Sequence, residues 1–187
     1  MSILAFLSQQ YGMVFPEEEV AWFDEHIRHR HVAKGEYFIR EEQVCNEIGF
    51  VVKGLLRSYI PTDGKEYNVE FYYEDHFVCA FISFLTRQPS EWTIQAIEDS
   101  DLIIITADML NELYRRHDSW LRLGKAIFET RTIKKCRRER SLISQDAAAR
   151  LEVFNKEYHP IQNRLPLYHV AAYLGITPET LSRLRGK

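Results

Sequence analysis

Apolar residues in the first 106 positions alternate with polar ones or form short runs, a pattern typical of β-strands. Two helices are predicted first, over residues 3–11 and 17–28. The strand-like segments that follow are rich in Phe, Tyr, Val and Ile and are separated by turn residues. They cover residues 36–40, 48–60, 67–73, 77–84, 92–96 and 102–105. Asp63-Gly64 indicates a tight hairpin, because both residues tolerate positive φ. This region is therefore predicted as a roll, barrel or sandwich.

After Thr106 the pattern becomes helical. One helix is predicted over residues 108–117, and a second from about residue 120 to 142, with Asp118 or Ser119 as its cap. Gly124 is the weak point of this long helix, which would extend about 35 Å. A further helix is predicted over residues 144–158. The chain as a whole is predicted to be an α+β protein.

One face of the long helix carries residues at 3-4-3 spacing, namely Trp120, Leu123, Ile127 and Thr130. This spacing suits a partner helix, so these residues are predicted to form a short dimer interface. The pattern ends at Lys134 and Arg137, which argues against an extended coiled coil. The alternative is a single amphipathic helix that packs against its own β domain.

The last 21 residues have the spacing of a helix-turn-helix. Val170 and Leu174 would be buried, and Gly175 would supply the left-handed residue that ends the first helix. Thr177 can cap the second helix, and Pro178 suits its first position. Residues 178–185 are therefore predicted as a recognition helix. The alternative is a plain helical hairpin, in which the same residues would serve only packing and capping.

The outward face of that helix is polar and matches the chemistry of a DNA major groove. Arg183 could pair with guanine, and Glu179 could accept from a cytosine amino group. Thr177, Thr180 and Lys187 are better placed for phosphates. The predicted DNA-binding residues are Thr177, Glu179, Thr180, Ser182, Arg183, Arg185 and Lys187.

Charge is divided unevenly along the chain. The net charge is −3, from 24 Lys and Arg against 27 Asp and Glu, yet the basic residues concentrate after residue 130. An acidic body with a basic C-terminal segment favours an anionic partner at one end, although long helices also carry such charges simply for solvation.

Composition is that of an ordinary globular protein, with 45% hydrophobic and 27% charged residues. The three cysteines, Cys45, Cys79 and Cys136, show no CxxC pair and fit a reducing compartment. The apolar stretch at residues 3–7 is too short for a membrane span, and no basic residue precedes it. We therefore expect a cytoplasmic protein that does not enter a membrane.

The sequence resembles the cyclic AMP receptor protein/fumarate-nitrate regulator (Crp/Fnr) superfamily of bacterial transcription factors over nearly its whole length. The residues that carry the resemblance are Lys34-Gly35-Glu36, Phe50-Val51-Val52-Lys53-Gly54-Leu55-Leu56-Arg57, Asp63-Gly64-Lys65-Glu66, Asp75-His76-Phe77 and Leu174-Gly175-Ile176-Thr177-Pro178-Glu179-Thr180-Leu181-Ser182-Arg183. The last stretch is the most specific, because Glu-Thr-x-x-Arg marks the family's recognition helix.

The resemblance implies a cyclic-nucleotide-binding-like β-roll (jelly roll), a long dimerisation helix and a C-terminal helix-turn-helix. The corresponding ranges are a sensor at 1–117, a dimerisation helix at 118–143 and a DNA-binding domain at 144–187. It also implies base reading by Glu179 and Arg183. The expected partners are double-stranded DNA and a second copy of the chain, and RNA polymerase is a further candidate. No cofactor and no enzymatic activity are expected.

The nucleotide pocket departs from the family pattern. Ala80 stands where cyclic-nucleotide binders carry the acid that meets the ribose, and Ser90-Glu91 stands where they carry the phosphate-binding Arg. A carboxylate would repel a cyclic phosphate, so cyclic AMP is not expected to bind. Arg87 lies close enough in sequence to restore the charge, which keeps another cyclic nucleotide open.

A different small-molecule effector is also open. Phe71, Tyr73, Phe81, Phe84 and Trp92 could line an apolar pocket, or simply fill the core. The candidate ligand-binding residues are Phe81, Ser83, Arg87, Ser90, Glu91, Trp92, Arg131 and Thr132. Arg131 and Thr132 are included because family members extend the long helix over the pocket.

A second departure is the β-hairpin wing that usually follows the recognition helix, since the sequence stops at Lys187. Without those phosphate contacts, we expect lower affinity and a weaker salt dependence. Dimerisation on two half-sites would then supply most of the binding strength.

Two rival functions remain open. His29-x-His31 followed by Glu36 has the spacing of cupin metal ligands, but the flanking glycines and the later His are absent. We interpret the group as a solvated basic corner at a helix end, with no metal. A decayed regulator that acts only through protein contacts is the other alternative. Three scattered cysteines do not support an iron–sulfur cluster.

Overall fold

A computed structural model describes residues 3–186. Two helices, α1 (Ile3–Tyr11) and α2 (Glu17–His26), precede eight strands. The strands are β1 (Arg28–Val32), β2 (Tyr37–Ile39), β3 (Glu47–Lys53), β4 (Leu56–Thr62), β5 (Lys65–Tyr72), β6 (Phe77–Val78), β7 (Thr93–Ala96) and β8 (Ser100–Thr106), with helix α3 (Phe81–Thr86) between β6 and β7. Five α-helices follow, and they are α4 (Ala107–Arg116), α5 (Asp118–Ser144), α6 (Ala147–Glu157), α7 (Leu167–Leu174) and α8 (Pro178–Arg185), with a short 3-10 helix (His159–Ile161) between α6 and α7.

The strands form two four-stranded sheets that face each other. Their orders are β1-β8-β3-β6 and β2-β7-β4-β5, and every pairing is antiparallel. Val51, Leu56, Tyr72 and Ile94 are fully buried in the core of this sandwich. The predicted β-roll and the mixed α+β class are confirmed, because both sheets direct their apolar faces inward.

The turn between β4 and β5 forms as the sequence predicts. Thr62 pairs with Lys65, which leaves Asp63 and Gly64 as a two-residue loop with φ angles of 53° and 73°. Two positive φ angles match the right-handed twist of the strands. The run over residues 48–60 is, however, two strands rather than one. Gly54 separates them with φ of 113°, and a Cβ there would lie 2.6 Å from Ser100 Cα.

The prediction of a strand over residues 77–84 is wrong. Only Phe77 and Val78 pair as β6, and the chain then turns into α3. A short apolar run does not distinguish a strand from a buried helix, so tertiary contacts decide. Ser83 makes two of them, since its Oγ accepts from Cys45 N at 2.9 Å and donates to Gln88 O at 2.6 Å.

Strand β1 is absent from the sequence-based prediction because its residues, Arg-His-Arg-His-Val, lack the apolar alternation of a strand. It lies at the edge of its sheet and pairs with β8 alone. Only Val32 is buried, so the strand is held by backbone hydrogen bonds along β8 and not by an apolar face.

Helix α5 spans 27 residues and is the longest element of the described chain. His117, and not Asp118 or Ser119, provides its cap, because His117 Nδ1 accepts from Ser119 N at 3.1 Å. Gly124 lets α4 approach closely: a Cβ at this position would lie 2.3 Å from the Tyr114 hydroxyl oxygen. The residue that weakens the helix by sequence therefore has a packing role.

Helices α6 and α7 pack on the outer face of the β4–β5 region. Phe71 of β5 meets Phe154, Tyr158 and Tyr173 there, with the Phe71–Tyr158 ring centroids 5.5 Å apart. We call these four rings the aromatic cluster. Because adjacent strand residues face opposite sides, Phe71 contacts the C-terminal helices while Tyr72 fills the roll.

Candidate nucleic-acid interface and sensor pocket

Helices α7 and α8 form the predicted helix-turn-helix with the predicted caps. Gly175 ends α7 with φ of 67°, and Thr177 Oγ1 accepts from Thr180 N at 3.3 Å at the start of α8. Leu181 is fully buried and anchors α8 on the core, while Pro178 occupies the first helical position. Local capping and one apolar anchor thus fix the orientation of α8.

The opposite face of α8 is open. Glu179, Ser182, Arg183 and Arg185 are exposed, as is the cap Thr177, and Thr180 is half-buried. Arg183 Nη2 donates to Thr180 Oγ1 at 3.2 Å. Lys187 lies outside the described residues.

The start of α8 also holds Glu179 in its charged form. Backbone and Thr177 hydrogen bonds at the helix start hold the pKa of this carboxyl below its usual range. Glu179 is thus a charged acceptor on the exposed face.

The helix-turn-helix is attached to the roll by a buried polar network. His169 of α7 lies with Nδ1 3.2 Å from Arg57 Nη1, and its backbone oxygen accepts from Asn68 Nδ2 at 2.9 Å. Burial, together with the positive charge of Arg57, lowers the pKa of His169 to about 4. His169 is therefore neutral near pH 7 and serves as a structural link.

Two of the predicted ligand-binding residues are occupied by the protein itself. Ser83 is buried and makes the two hydrogen bonds described above. Ser90 is also buried, and its Oγ donates to Trp92 O at 2.8 Å and accepts from Trp92 N at 3.1 Å. Both hydroxyls stabilise the loop after α3 and leave little capacity for a ligand.

The remaining residues of this set are spread over several surfaces. Arg87 Nη1 donates to Asn46 Oδ1 at 3.2 Å, and the Lys135 Nζ lies 4.8 Å from the Trp92 ring. Glu91 is exposed, and Thr132 Oγ1 donates to Phe128 O within α5. Glu91, Trp92, Ser83 and Ser90 share a shallow cleft of about 270 Å³, which Arg87, Arg131 and Thr132 do not line.

Of the aromatic residues considered for an apolar pocket, Phe81 and Phe84 line one cavity of about 580 Å³ together with Arg87, and the other three do not line it. Phe71 belongs to the aromatic cluster, whereas Phe84 and Phe81 pack in or against the roll core. The alternative that the sequence left open, a filled core, therefore holds for Phe71, which is buried among the rings of the aromatic cluster.

Arg131 takes part in a buried charge network that the sequence did not indicate. Its Nη2 donates to Glu70 Oε2 at 3.0 Å and its Nη1 to Phe77 O at 2.9 Å. The Arg131 guanidinium carbon also lies 5.8 Å from the Tyr72 ring centroid and 5.6 Å from that of Phe81. Long helix and roll are thus joined by an internal ion pair.

Glu70 is the acid at the centre of this network. Lys134 Nζ lies 3.3 Å from Glu70 Oε1 and 2.8 Å from Glu157 Oε1. Burial alone would raise the pKa of Glu70, but Arg131 and Lys134 hold it below its usual range. One feature of the sequence could have indicated this network: Arg131 and Lys134 are three residues apart, which places two cations on one face of the helix.

Two of the four residues predicted for the dimer interface are covered within their own chain. Trp120 and Leu123 are buried within their own chain, in a cluster that includes Phe23 of α2 and Phe50 of β3. Trp120 Nε1 also donates to Glu19 Oε2 at 2.8 Å. This is the intrachain packing that the sequence left open as the alternative. Ile127 is half-buried in the same cluster, and Thr130 is exposed.

The histidine group considered as a cupin-like site lies on strand β1 and the following turn, not at a helix end. His31 Nδ1 lies 2.8 Å from Asp101 Oδ1, and Glu36 Oε2 accepts from Ala33 N at 2.9 Å. Within residues 3–186, no group of three or more His, Cys, Asp or Glu side chains is arranged to hold a metal. His31 and Glu36 thus have partners within the fold.

Two of the three cysteines are neighbours in space. Cys45 and Cys79 are buried with their Sγ atoms 3.9 Å apart, while Cys136 is exposed on α5. Their separation of 34 positions hid this contact from the sequence. Within the core they fill space as small apolar side chains.

Comparison with known proteins supports this description. Residues 29–117 match the family model of the cyclic nucleotide-binding domain. A CooA mutant from Carboxydothermus hydrogenoformans is similar in structure, with a TM-score of 0.73 and 17% identity over 89% of this chain and 77% of that one. FixK2 from Bradyrhizobium japonicum is similar with a TM-score of 0.72 and 21% identity, over 86% of this chain and 83% of that one. A crp/fnr-family regulator from Eubacterium rectale is similar with a TM-score of 0.70 and 21% identity, over 91% of this chain and 82% of that one.

Residues 29–117 thus match the cyclic nucleotide-binding domain family, and the chain shares the fold of the Crp/Fnr-type structures. The resemblance predicted from the sequence is thereby confirmed. A search of curated protein sequences gave no match. Among residues 3–186, every helix is too short or too polar to cross a bilayer.

Proposed function

We propose that the chain is a DNA-binding transcription regulator that acts as a homodimer. The observation that carries the proposal is α8, which is buried through Leu181 and exposes Glu179, Ser182 and Arg183 on its other side. A helix with one anchored face and one free polar face suits insertion into a major groove. In this proposal residues 1–117 are the sensor, 118–143 the dimerisation helix and 144–187 the DNA-binding part.

The proposed base contacts are those of Arg183 and Glu179. Arg183 presents a planar fork of donors that suits the two acceptors of guanine, and Glu179 accepts from cytosine. Thr177, Thr180, Ser182, Arg185 and Lys187 are proposed for phosphates or neighbouring base edges. The Arg183 hydrogen bond to Thr180 orients the guanidinium along the helix before DNA arrives.

The proposed dimer face is the exposed side of α5. Leu121, Phe128 and Leu142 are 49%, 51% and 47% exposed and follow one another at multiples of seven residues. That spacing aligns them in one stripe, which Thr132 extends. A second copy of the chain would cover this stripe, which lies beside the face of α5 that the roll already covers.

The proposed sensor does not bind cyclic AMP. Ala80 carries no carboxylate for the ribose, and Ser90-Glu91 stands in the sequence where cyclic-nucleotide binders carry the phosphate-binding Arg. Arg131 is already paired with Glu70 and lies against Tyr72 and Phe81. An effector of another kind and a contact with RNA polymerase remain part of the proposal. The c-di-GMP-responsive regulator CLP from Xanthomonas campestris, with a TM-score of 0.70, is similar in structure.

The test is selection from a random duplex library with the untagged chain at two salt concentrations. We expect recovery of a two-fold symmetric site whose half-sites lie about one helical turn apart. Binding that is weak, sensitive to salt and independent of sequence, with and without cell extract, would contradict the proposal. The Arg183→Ala variant is selected in parallel and should bind the site more weakly, with relaxed preference at one base position.

A further inference from the structure

A cleft of about 700 Å³ opens where α5 passes α6 and α7. Its walls are the second half of α5, one side of α6, the end of α7 and the turn that follows β5. It shares no residue with the shallow cleft beside α3, and α8 does not line it. The cleft is therefore distinct from both the expected nucleotide pocket and the recognition helix.

The lining of this cleft is strongly cationic. Five lining side chains are basic and one is acidic; the basic ones are Lys134, Arg137, Arg138, Arg150 and Lys156. The single acid, Glu157, is paired with Lys134 at 2.8 Å and so leaves the other cations uncompensated. Arg137 and Lys156 are exposed and form no ion pair within residues 3–186. A concave surface of one sign attracts an anion.

Arg150 adds an unsatisfied donor to the same cleft. Its Nη1 donates to Gln145 O at 2.8 Å, while its buried Nε has no partner among the described residues. A buried N–H without an acceptor costs free energy that a bound oxygen would recover. This side chain thus favours an occupant with acceptor oxygens.

The apolar part of the cleft is aromatic. Phe154 and Tyr173 line it with ring centroids 5.2 Å apart, and the Arg138 guanidinium carbon lies 3.6 Å from the Tyr173 centroid. Tyr73 and His76 form a second ring pair at 3.9 Å. Flat groups can stack on such rings and on the planar face of Arg.

Leu142 belongs both to the proposed dimer stripe and to the lining of the cleft, whereas Leu121, Phe128 and Thr132 do not line it, so the dimer would leave most of the cleft open. Arg137 follows Phe128 by nine residues, about two and a half helical turns, and therefore lies on the opposite face of α5. The cleft is also concave, with walls from three helices, whereas the backbone of a DNA duplex requires an open surface. A small molecule fits this shape better than a second copy of the chain or a DNA duplex does.

We propose that this cleft binds a small anion that carries a flat ring, with a nucleoside triphosphate as the chemistry that fits it best. The anionic group meets Arg137, Arg150 and Lys156, and the ring packs against the half-buried pair of Tyr73 and His76. Because α5, α6 and α7 all line the cleft, the occupant contacts the long helix and the C-terminal helices together. This inference does not rest on the proposed function.

Calorimetric titration of the full chain without DNA tests the proposal, with ATP, GTP, adenosine and pyrophosphate as probes. We expect ATP or GTP to bind once per chain, and adenosine and pyrophosphate to bind at least tenfold more weakly. The double variant Arg137→Gln/Lys156→Gln should weaken nucleotide binding at least tenfold. Arg122→Gln, an exposed cation on α5 outside the cleft, is the matched control and should change nothing.

A second variant tests the cleft by placing a negative charge in it, which would repel the nucleotide phosphates. Val153 lines the cleft and is 42% exposed, so Val153→Glu adds a carboxylate without disturbing the core. Nucleotide binding should fall at least tenfold, whereas Val52→Glu, at a 49% exposed position on the roll, should have no effect.

Three results would overturn the proposal: no nucleotide binds at millimolar concentration, pyrophosphate binds as tightly as ATP, or the cleft variants bind ATP normally. If the variants instead lose affinity for random duplex while nucleotides fail to bind, the cleft is a surface for DNA phosphates. A chain that binds ATP but selects no DNA site would contradict the proposed function and leave this inference intact.

Discussion

Arg164, in the loop before α7, donates two hydrogen bonds to the carboxylate of Glu74, from Nη1 to Oε2 at 2.7 Å and from Nη2 to Oε1 at 3.0 Å. The same guanidinium donates to Glu98 Oε2 at 2.7 Å and to Gly54 O at 3.0 Å. Burial alone would raise the pKa of Glu74, but Arg164 and the Gly54 N–H hold it below its usual range. One side chain thus ties the C-terminal helices to the roll.

Replacing Arg164 should loosen this attachment. Arg164→Ala leaves Glu74 and Glu98 facing each other without a cation, and we expect a loss of about 1–3 kcal/mol in unfolding free energy. Limited proteolysis should also cut the loop before α7 faster than in the wild type. Arg122→Ala, at an exposed position with no ion pair among the described residues, is the control and should change neither.

The same contact gives a pH dependence of known sign. Because the pKa of Glu74 is lowered in the folded state, its stabilisation is present above the ordinary carboxyl pKa of about 4.3 and is lost as pH falls through the lowered value. The stability difference between wild type and Arg164→Ala should therefore shrink in acid. A difference that stays constant down to pH 2 would contradict the ion pair.

His169 should make the fold sensitive to moderate acid. Its pKa is about 4 when folded and about 6.5 when unfolded, so the unfolded chain binds the extra proton first. Unfolding free energy should then fall as pH drops from 6.5 to 4, by at most about 1.4 kcal/mol per unit from this group. Urea titrations at several pH values should show that the unfolding free energy of His169→Gln falls less steeply with decreasing pH than that of the wild type. His159→Gln, at an exposed position, should keep the wild-type pH dependence.

Arg183 should contribute sequence specificity as well as affinity. Once a preferred site has been selected, Arg183→Ala should cost about 1–3 kcal/mol on that site and relax preference at one base position. Binding to random duplex should change little, because phosphate contacts dominate there. Fluorescence anisotropy on both duplexes checks this, and an equal loss on both would show that Arg183 does not read a base.

Phe128 and Trp120 should respond differently to the same change. Phe128 is 51% exposed, so Phe128→Glu should weaken self-association and leave the monomer folded. Trp120 is buried against α2 and donates to Glu19, so Trp120→Glu should lower thermal stability instead. Sedimentation velocity and circular dichroism separate the two effects. Unchanged sedimentation of Phe128→Glu would exclude the proposed dimer face.

Gly124 should tolerate a methyl group only if Tyr114 is removed. Gly124→Ala places a Cβ 2.3 Å from the Tyr114 hydroxyl, and we expect a net loss of about 1 kcal/mol despite the better helix propensity of Ala. In a Tyr114→Ala background, the same substitution should instead gain about 1 kcal/mol. A double-mutant cycle by chemical denaturation measures the coupling, and its absence would contradict the close contact.

Local patterns predicted the elements whose cause is local. The Asp63-Gly64 turn, the cap at Thr177 and the left-handed Gly175 depend on backbone preferences within four residues, and all three form as expected. The exposed face of α8 followed from the same spacing. Where local preference was ambiguous, as in residues 77–84, the prediction failed, because a buried helix and a buried strand both read as a short apolar run.

The sequence by itself therefore determined the sandwich of short strands, the long helix and the helix-turn-helix. Tertiary structure alone decided which face of α5 is covered, that Glu70 receives Arg131 and Lys134, and that Cys45 meets Cys79. The physical reason is that these contacts join segments that are far apart in the sequence. Periodicity records that a residue is buried or exposed, but its partner is set by how distant segments cross, which no spacing along one segment encodes.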